Sequence, residues 1–578
     1  MYNGGSTRKK EEPRDRRLAL LRFGMGLFLS LVIIKLGVLQ IVNYDFYVKA
    51  AEGRHSLYKK LWPERGRIYF SDLKSPGDLF PLAINRSVYT IFVDPARIKE
   101  PQKTARALAK KLELSEKDVL TKLTETGSRY EIIKKRVSAE TADELKLEKL
   151  TGVEYEKEFF RFYPEHDMAA QVVGYLGLDE ASEPKGFYGL EGYFNELLAG
   201  QTGFISTERD AKGGWLTLIP RQMKNSVDGV DMILTLDRVI EAYACQKLKE
   251  GVKKHQAKSG SVVIINPKNG AILALCNEPG FDPNNYNEVK DLGVFNNSVI
   301  FTAYEPGSVF KAITLAAALD ADKVTPETTY IDTGIVKIGP DTIHNAANKV
   351  YGEQNMIGVL KESINTGAVF AAQRVGLNLF RKYVQDFGFG VLSNVELDKE
   401  SGGDIDMLSD KRDIYLATAS FGQGITATPL QLAAAFGSIA NKGRLYKPYI
   451  VSQFNYPDGN KEKVPPQMIR QVIGERSAKI LSGMLTVVVR EGHGKAAGVP
   501  GYYIAGKTGT AQIAGPGGRY IEGATNQTFV GFGPVDDPQF VMVVKYEDPK
   551  AMYAEYTAVP TFGEIAKFLL QYLEIPPG

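Results

Sequence analysis

The stretch Glu305-Pro306-Gly307-Ser308-Val309-Phe310-Lys311, followed by AITLAAAL at residues 312–319, decides the fold and carries the first candidate functional residues. Pro306 and Gly307 set the entry to a helix, and a helix that is apolar on all sides is normally buried. The pattern therefore predicts a buried central helix with Ser308 at its start. Lys311 follows three residues later and shares its helix face.

A serine and a lysine in this arrangement can carry out nucleophilic catalysis. The Ser308 hydroxyl is a weak nucleophile until a neighbouring base takes its proton. Lys311 can be that base only while it is neutral, although the reference pKa of lysine is about 10.4. Burial and a second cation both disfavour the charged form, and Lys507 is the candidate for the second cation.

Two further peptides complete a candidate acyl-transfer site. They are Ser363-Ile364-Asn365 and Lys507-Thr508-Gly509-Thr510. S-x-N and K-T-G occur once each, whereas S-x-x-K also occurs in what reads as ordinary surface sequence at Ser6, Ser56, Ser71 and Ser182. The order and spacing of the three peptides therefore indicate function more strongly than any one of them does.

The second peptide has two interpretations. In the catalytic one, Ser363 relays a proton toward the leaving group, and Asn365 holds the substrate amide and Lys311. In the other, the stretch KESINTGAVFAA at residues 361–372 is a helix that turns its polar residues to solvent.

The third peptide lies in a predicted strand beside the cleft, where it can pair with an extended peptide substrate. The Lys507 charge would attract a terminal carboxylate, and Thr508 and Thr510 can hydrogen-bond it. Gly509 would let a backbone approach closely, and the N–H groups of Ser308 and Thr510 are the natural oxyanion hole. A strand with a glycine bulge and no catalytic role is the alternative.

The composition bounds the class of protein. The 578 residues are too many for one hydrophobic core, and 44% hydrophobic with 24% charged residues is typical of a globular protein. The net charge of +3 gives no indication of a nucleic-acid partner. The two cysteines, Cys245 and Cys276, exclude a disulfide framework, but their spacing does not decide whether they form one bridge. Neither a metal nor a cofactor is predicted, because no metal-ligand spacing links the histidines His55, His166, His255, His344 and His493.

The segment Phe23–Val42 is predicted to cross a membrane. At about 1.5 Å per residue its length matches a hydrocarbon core of about 30 Å. The protein should therefore be a single-pass protein of the cell (inner or cytoplasmic) membrane. Positive flanks stay cytoplasmic, so the chain beyond Val42 should lie on the extracytoplasmic side. The basic residues before the segment are Arg8, Lys9, Lys10, Arg14, Arg16, Arg17 and Arg22.

Two questions about this segment stay open. A cleaved signal peptide is the alternative to an anchor, although the apolar run is longer than usual and Val48-Lys49-Ala50 is a poor cleavage site. Lys35 inside the segment would either snorkel outward or face a partner helix in the membrane.

The first half of the chain carries no catalytic set, which indicates a spacer, docking or assembly module. Val88–Val93 is predicted to be a strand, and Pro101–Leu123 and Ala139–Leu150 are predicted to be amphipathic helices.

In the second half, Met232–Asp237 is predicted to be a strand that ends in a helix cap, and the helix continues through Leu248. Ser261–Asn266 and Ala271–Leu275 flank Asn269-Gly270, which is a strong hairpin signal. Strands return at Tyr502–Thr510, Thr528–Phe532 and Phe540–Tyr546, before a last helix at Phe562–Leu573. Strands, then helices, then strands indicate an α+β fold with an antiparallel sheet flanked by helices.

With these motifs the chain resembles a class B penicillin-binding protein, a monofunctional peptidoglycan D,D-transpeptidase. The first half contributes Arg65-Gly66-Arg67-Ile68, Arg161-Phe162-Tyr163-Pro164 and Gly189-Leu190-Glu191-Gly192, which resemble the family's pedestal motifs. The second half adds Phe421–Ile425, Thr428–Leu432 and Thr528–Phe532. The stretch SDLKSPGDLFP after Ile68 replaces the family's usual turn and leaves the pedestal geometry there undetermined.

The resemblance implies a penicillin-binding transpeptidase domain at residues 232–578 on a mixed α/β pedestal or dimerisation-like domain at residues 43–231. Residues 1–22 would be a cytoplasmic tail and residues 23–42 the transmembrane helix. The implied reaction crosslinks stem peptides through a Ser308 acyl-enzyme formed on a D-Ala-D-Ala terminus, with β-lactam antibiotics as inhibitors. The implied partners are a SEDS-type glycan polymerase and other cell-wall assembly proteins.

Glu305-Pro306-Gly307 and Ala558–Phe562 favour a division-type enzyme that acts in septal wall synthesis. An elongation-type enzyme, a β-lactamase or β-lactam sensor, and a catalytically idle scaffold for a wall polymerase are the alternatives. The intact catalytic set argues against the scaffold, and no residue marks the deacylating base that a hydrolase needs.

Overall fold

The computed structural model describes residues 21–31, 35, 56–125, 127–208, 222–515 and 519–578. The strands, in chain order, are β1 (Ser56–Leu61), β2 (Ile68–Ser71), β3 (Phe80–Val93), β4 (Glu131–Ser138), β5 (Val153–Phe162), β6 (Tyr175–Leu178), β7 (Pro184–Phe187), β8 (Gly203–Glu208), β9 (Gln222–Lys224), β10 (Asp231–Asp237), β11 (Ser259–Ile265), β12 (Ile272–Glu278), β13 (Thr329–Asp332), β14 (Ile335–Ile338), β15 (Asp341–His344), β16 (Gly352–Asn355), β17 (Arg444–Tyr446), β18 (Val451–Asn455), β19 (Lys461–Lys463), β20 (Met468–Gln471), β21 (Ala505–Ala514), β22 (Tyr520–Gly533) and β23 (Phe540–Glu547).

Helices fill much of the second half. Besides the helical residues 21–31, the α-helices are α1 (Pro101–Leu112), α2 (Glu116–Leu123), α3 (Ala139–Leu147), α4 (Ala170–Val173), α5 (Gly189–Tyr193), α6 (Asn195–Ala199), α7 (Arg238–His255), α8 (Ser298–Phe301), α9 (Lys311–Asp320), α10 (Met356–Lys361), α11 (Asn365–Val375), α12 (Leu377–Asp386), α13 (Asp413–Ala419), α14 (Pro429–Ala440), α15 (Glu475–Glu491) and α16 (Ala558–Tyr572).

The chain divides into two compact units, of which the smaller consists of Met1–Pro63 and Gln201–Val227. Its described part consists of the helical residues 21–31 and 35 and a three-stranded antiparallel sheet in the order β1-β8-β9. The larger unit consists of Glu64–Gly200 and Asp228–Gly578 and contains all the candidate site residues.

The larger unit is built on two sheets. One has the order β19-β18-β10-β2-β3-β4, with β5 paired to β3, and joins both halves of the chain through the parallel pair β10 and β2. The other is antiparallel, in the order β12-β11-β23-β22-β21. The predicted hairpin at Asn269-Gly270 is confirmed, because β11 pairs with β12 across it.

The antiparallel sheet is covered on both faces. One face packs against the central helix α9 and its neighbours, through residues such as Val263 and Val530. The other packs against α7 and α16 through residues such as Phe529 and Phe562. The α+β class with an antiparallel sheet between helices is therefore confirmed.

Several element bounds differ from the predictions. The predicted helix at Pro101–Leu123 is two helices, because Glu113 takes a left-handed conformation (φ 55°) and Ser115 caps α2. The predicted strand at Tyr502–Thr510 begins only at Ala505. Asp237 is a helix cap as predicted, since its carboxylate accepts the N–H groups of Val239 and Ile240 at 2.9 Å.

The predicted membrane segment Phe23–Val42 lies only partly within the described residues, because residues 32–34 and 36–42 fall outside them. Residues 21–31 are helical and expose large apolar side chains such as Phe23 and Phe28. Among the described residues there is no helix with the length and apolarity that a membrane span needs.

The two cysteines, whose pairing the sequence leaves open, form a disulfide between α7 and β12. The buried carboxylate of Glu241 lies 3.5 Å from Cys245 Sγ and accepts the N–H of Leu275 at 2.7 Å. Burial raises the pKa of Glu241 to about 8. Because the disulfide occupies both sulfurs, this group of three residues offers a metal ion only the carboxylate.

The three pedestal-like motifs converge on one buried carboxylate. Glu191 accepts hydrogen bonds from Arg65 Nε at 2.6 Å and from Arg161 Nε at 2.7 Å, and its side chain is fully buried. Burial alone would raise the pKa of Glu191, but the charges of Arg161 and Arg65 outweigh burial and hold it below its usual value. The central residues of the SDLKSPGDLFP stretch form the connection between β2 and β3, in which the Leu73 N–H donates to the Asp237 carboxylate at 2.8 Å.

We expect Glu191→Gln to lower the free energy of unfolding by about 3–5 kcal/mol, because it leaves two buried guanidinium groups without their counter-charge. The measurement is urea unfolding of the purified full chain. Glu100→Gln is the matched control: Glu100 pairs with Lys103 on the surface, where an ion pair contributes about 0–1 kcal/mol. Equal losses in both variants would contradict a special role for the cluster.

Candidate active site

The nucleophile segment is a tight turn that leads into the central helix. Gly307–Phe310 form a 3-10 turn, and α9 follows from Lys311 with all residues through Leu319 buried. Gly307 has φ +55°, and its N–H donates to the Gly422 carbonyl at 3.0 Å. The predicted buried helix is therefore confirmed, with Ser308 in the turn that precedes it. Within the described part of the chain the Ser308 hydroxyl has no hydrogen-bond partner, so it is available to a substrate.

The Ser363-Ile364-Asn365 peptide does not form the continuous solvent-facing helix of the second interpretation given above. Ser363 has φ +58°, which lies in the left-handed region, and α11 begins only at Asn365. A non-glycine residue held there costs about 1–3 kcal/mol, which the surrounding contacts must offset. The kink turns the Ser363 carbonyl and hydroxyl toward Lys311.

Lys311 is the centre of the candidate site. Its Nζ donates to the Ser363 carbonyl at 2.5 Å and to Asn365 Oδ1 at 2.7 Å, and it lies 3.3 Å from Ser363 Oγ. Burial, and after it the charge of Lys507, hold the pKa of Lys311 well below its ordinary value. Both causes are those that the sequence predicts, and they favour the neutral amine that a base requires.

Lys507 brings the third peptide to the same hydroxyl. Its Nζ lies 3.0 Å from Ser363 Oγ and 3.2 Å from the Thr508 carbonyl. Burial lowers the pKa of Lys507 to about 7. A substrate carboxylate placed nearby would favour its charged form again.

The strand that carries Lys507 lies directly against the nucleophile turn. A Cβ atom on Gly509 would come within 2.8 Å of the Pro306 carbonyl oxygen, so glycine is required for this approach, as the sequence predicts. Thr510 is partly exposed, and its Oγ1 accepts the N–H of Ala554 at 3.3 Å. Thr508 is largely buried beside Lys507.

Contacts that the motifs do not include also shape the site. The Asn365 amide donates to the His344 carbonyl at 2.9 Å. The Glu305 carboxylate accepts the N–H of Gly424 at 2.8 Å and the hydroxyl of Tyr520 at 3.0 Å. Sequence spacing carries no signal for these long-range pairs, although Glu305 stands next to the motif.

Comparison with known protein families identifies the class. The penicillin binding protein transpeptidase domain matches residues 260–567, which is more than half of the chain, and the penicillin-binding protein dimerisation domain matches residues 60–234. The chain belongs to the class B penicillin-binding proteins.

Individual relatives span nearly the whole chain. Stage V sporulation protein D of Bacillus subtilis is 34% identical over 572 residues, 98% of this chain and 86% of the relative. Peptidoglycan D,D-transpeptidase FtsI of Escherichia coli is 29% identical over 569 residues, 97% of this chain and 92% of the relative.

Solved structures share the architecture. Penicillin binding protein 2X from Streptococcus thermophilus superimposes with a TM-score of 0.79, over 89% of this chain and 80% of its own length. Because the two sequences are only 21% identical, this similarity concerns the fold alone. Penicillin binding protein 3 from Mycobacterium tuberculosis, complexed with aztreonam, has a TM-score of 0.68 at 26% identity over 90% of this chain and 98% of its own.

Proposed function

We propose that this protein is a serine-type D-Ala-D-Ala transpeptidase that crosslinks peptidoglycan stem peptides and is inhibited by β-lactams. The observation that carries the proposal is the convergence of the Lys311 and Lys507 amines on Ser363 Oγ, with Asn365 Oδ1 also accepting from Lys311. Lys311 stands three residues after Ser308, in the helix that follows the nucleophile turn. The family and the relatives named D,D-transpeptidase support the same activity.

In the acylation step, neutral Lys311 takes the proton of the Ser308 hydroxyl as Oγ attacks the carbonyl of the penultimate D-Ala. The N–H groups of Ser308 and Thr510 would stabilise the oxyanion. The peptide bond breaks, and the leaving D-Ala amine receives a proton by way of Ser363, which lies between the two lysine amines. The product is an acyl-enzyme ester on Ser308.

In the second step an acceptor amine takes the place of Ser308 on the acyl group. The amine loses a proton to the base as its nitrogen attacks the ester carbonyl, and the Ser308–acyl bond breaks with return of the proton to Oγ. Before the acylation step, Lys507, Thr508 and Thr510 would hold the carboxylate of the terminal D-Ala of the donor, and β21 would pair with the backbone of the donor peptide. This carboxylate departs with the D-Ala that leaves in that first step.

The test is covalent labelling of the full chain in detergent with a fluorescent penicillin, followed by mapping of the labelled peptide. We expect a long-lived label on Ser308. Rapid loss of the label would indicate a β-lactamase, and absence of the label an idle scaffold. Transfer of a D-Ala-D-Ala donor peptide onto an added amine then separates a transpeptidase from a simple hydrolase.

A septal role is part of the proposal, supported by the division-type peptides at Glu305–Gly307 and Ala558–Phe562 and by the relative FtsI. The similarity to a sporulation protein favours a second candidate, the wall made during spore formation. Depletion in growing cells would distinguish them: filamentation supports the septal role, and normal division with failed spores supports the other.

We place the protein in the cytoplasmic membrane, with residues 23–42 as a single anchor and the catalytic domain outside. The basic residues before Phe23 support this orientation. Lys35 inside an apolar segment supports docking of the anchor to a polytopic partner, for which a SEDS-type glycan polymerase is the proposed identity.

Replacement of Phe23–Val42 by an unrelated transmembrane helix is expected to leave penicillin labelling intact and to lower function in cells, because docking would be lost while the site is unchanged. Complementation of a depleted strain measures the second effect. The control replaces the segment but keeps a lysine at position 35. Full complementation by the protein with the unrelated helix would mean that Lys35 gives no evidence for docking, and would favour the interpretation that Lys35 snorkels outward.

A further inference from the structure

A buried carboxylate lies behind the Ser363-Ile364-Asn365 peptide. Asp332, at the end of β13, is only 2% exposed. It accepts hydrogen bonds from Thr366 Oγ1 at 2.6 Å, from the Tyr351 N–H at 2.8 Å and from Asn345 Nδ2 at 2.9 Å. A further bond comes from the Gly334 N–H at 3.0 Å. All these donors are neutral, and hydrogen bonds to a charged group are stronger than neutral ones.

This network reaches the catalytic peptide through Thr366, which directly follows Asn365. The Thr366 hydroxyl donates to Asp332, and the Thr366 N–H donates to Asn345 Oδ1 at 3.1 Å. Thr366 is thus held at two atoms in the first turn of α11. Its neighbour Asn365 is held on the other side, where its Nδ2 donates to the carbonyl of His344, the residue before Asn345.

The two sides together decide which way the Asn365 amide points. A backbone carbonyl can accept only from the NH2 end of the amide, so the Nδ2 bond to His344 directs Oδ1 at Lys311 Nζ, 2.7 Å away. A half-turn of the amide would place an oxygen against the His344 carbonyl and an NH2 group against the Lys311 amine. The contact between the two oxygens would be unfavourable, and the bond to the His344 carbonyl would be lost.

We propose that Asp332 is a positioning residue for the acylation reaction. Through Thr366 and Asn345 it fixes the orientation of the Asn365 amide, and through that amide it fixes the position of the Lys311 amine. The inference rests on the proposed function, because it assigns Lys311 the role of the base. Burial raises the pKa of Asp332, but the hydrogen bonds, led by that of Thr366, outweigh burial and leave it below its ordinary value, so the group is ionised at neutral pH.

A purely structural role is the competing explanation, in which the network only attaches residues 329–355 to α11. The two explanations differ in what they do to the chemical step. A misplaced base lowers the acylation rate constant while penicillin binding before acylation is unchanged. A loosened segment lowers stability and leaves the rate constant of the folded enzyme alone.

The experiment uses the full chain with Thr366→Val, which has nearly the shape of threonine without the hydroxyl, and Thr366→Ser, which keeps it. Stopped-flow labelling with a fluorescent penicillin over a range of concentrations separates binding from acylation. We expect Thr366→Val to lower the acylation rate constant by about 10²-fold, as misplacement of a catalytic group typically does. Thr366→Ser should retain most of the wild-type rate, and Asp332→Asn should follow Thr366→Val.

Thr333→Val is the control, because the Thr333 hydroxyl lies in the same segment but is exposed and donates to the Ile335 carbonyl. Urea unfolding of each variant establishes that the rates are measured on folded protein. Wild-type acylation in Thr366→Val with lowered stability would overturn the inference, as would equal losses in Thr366→Ser and Thr366→Val. Absence of label on the wild-type protein would overturn the proposed function and this inference together.

Discussion

Replacing Ser308 with Ala is expected to abolish covalent labelling by penicillin. Ser308 Oγ is the atom that would form the ester, and no other hydroxyl stands one helical turn before Lys311. The change should alter the free energy of unfolding by less than about 0.5 kcal/mol, because it removes no internal hydrogen bond among the described residues. In-gel fluorescence and peptide mapping measure the first effect, and urea unfolding measures the second.

Ser182→Ala is the matched control for this variant. Ser182 begins another S-x-x-K, which ends at Lys185, but both residues are exposed. Labelling of Ser182→Ala should equal that of the wild type. A label that persists in Ser308→Ala would place the nucleophile elsewhere and refute the assignment.

Lys311→Arg is expected to lower the acylation rate by about 10²–10⁴-fold, the range that a general base contributes. A guanidinium group cannot be deprotonated in a protein, so the variant keeps a donor to Asn365 but loses the base. Lys507→Arg should retain a measurable fraction of the rate, because its proposed role needs a cation. Equal losses in the two variants would count against these roles.

Lys311→Met separates loss of the base from the larger size of arginine, since methionine is slimmer and neutral. We expect Lys311→Met to be as inactive as Lys311→Arg. The pH profile of the wild type gives an independent check. Because burial and the charge of Lys507 lower the pKa of Lys311, the amine should take up a proton only below that lowered pKa, and the acylation rate should fall on acidification only there.

The candidate reacting groups could be proposed from the sequence because motif chemistry is local. Ser308 and Lys311 are three residues apart, and helical periodicity alone puts them on one face. The apolar run after them predicted the burial of α9, and burial in turn predicted the direction of the Lys311 pKa. The Asn-Gly hairpin and the Asp237 cap were predictable for the same reason, since each depends on a few adjacent residues.

The sequence by itself also left several things open that only the tertiary structure decided. Nothing in the spacing of Cys245 and Cys276 shows that α7 and β12 lie side by side, and nothing near Ser363 shows its left-handed backbone. The convergence of Arg65 and Arg161 on Glu191 is decided by pairing between strands far apart in the chain.

The sequence thus determined which residues are candidates for the reaction, and the tertiary structure decided how they are held. Asp332 stands 34 residues before Thr366, yet its carboxylate accepts a hydrogen bond from the Thr366 hydroxyl. A hydrogen bond depends on distance and direction in space, and these arise only when a strand, a hairpin and a helix pack together. The sequence gives the type of each residue, but the orientation of an amide or an amine is a property of the packed fold.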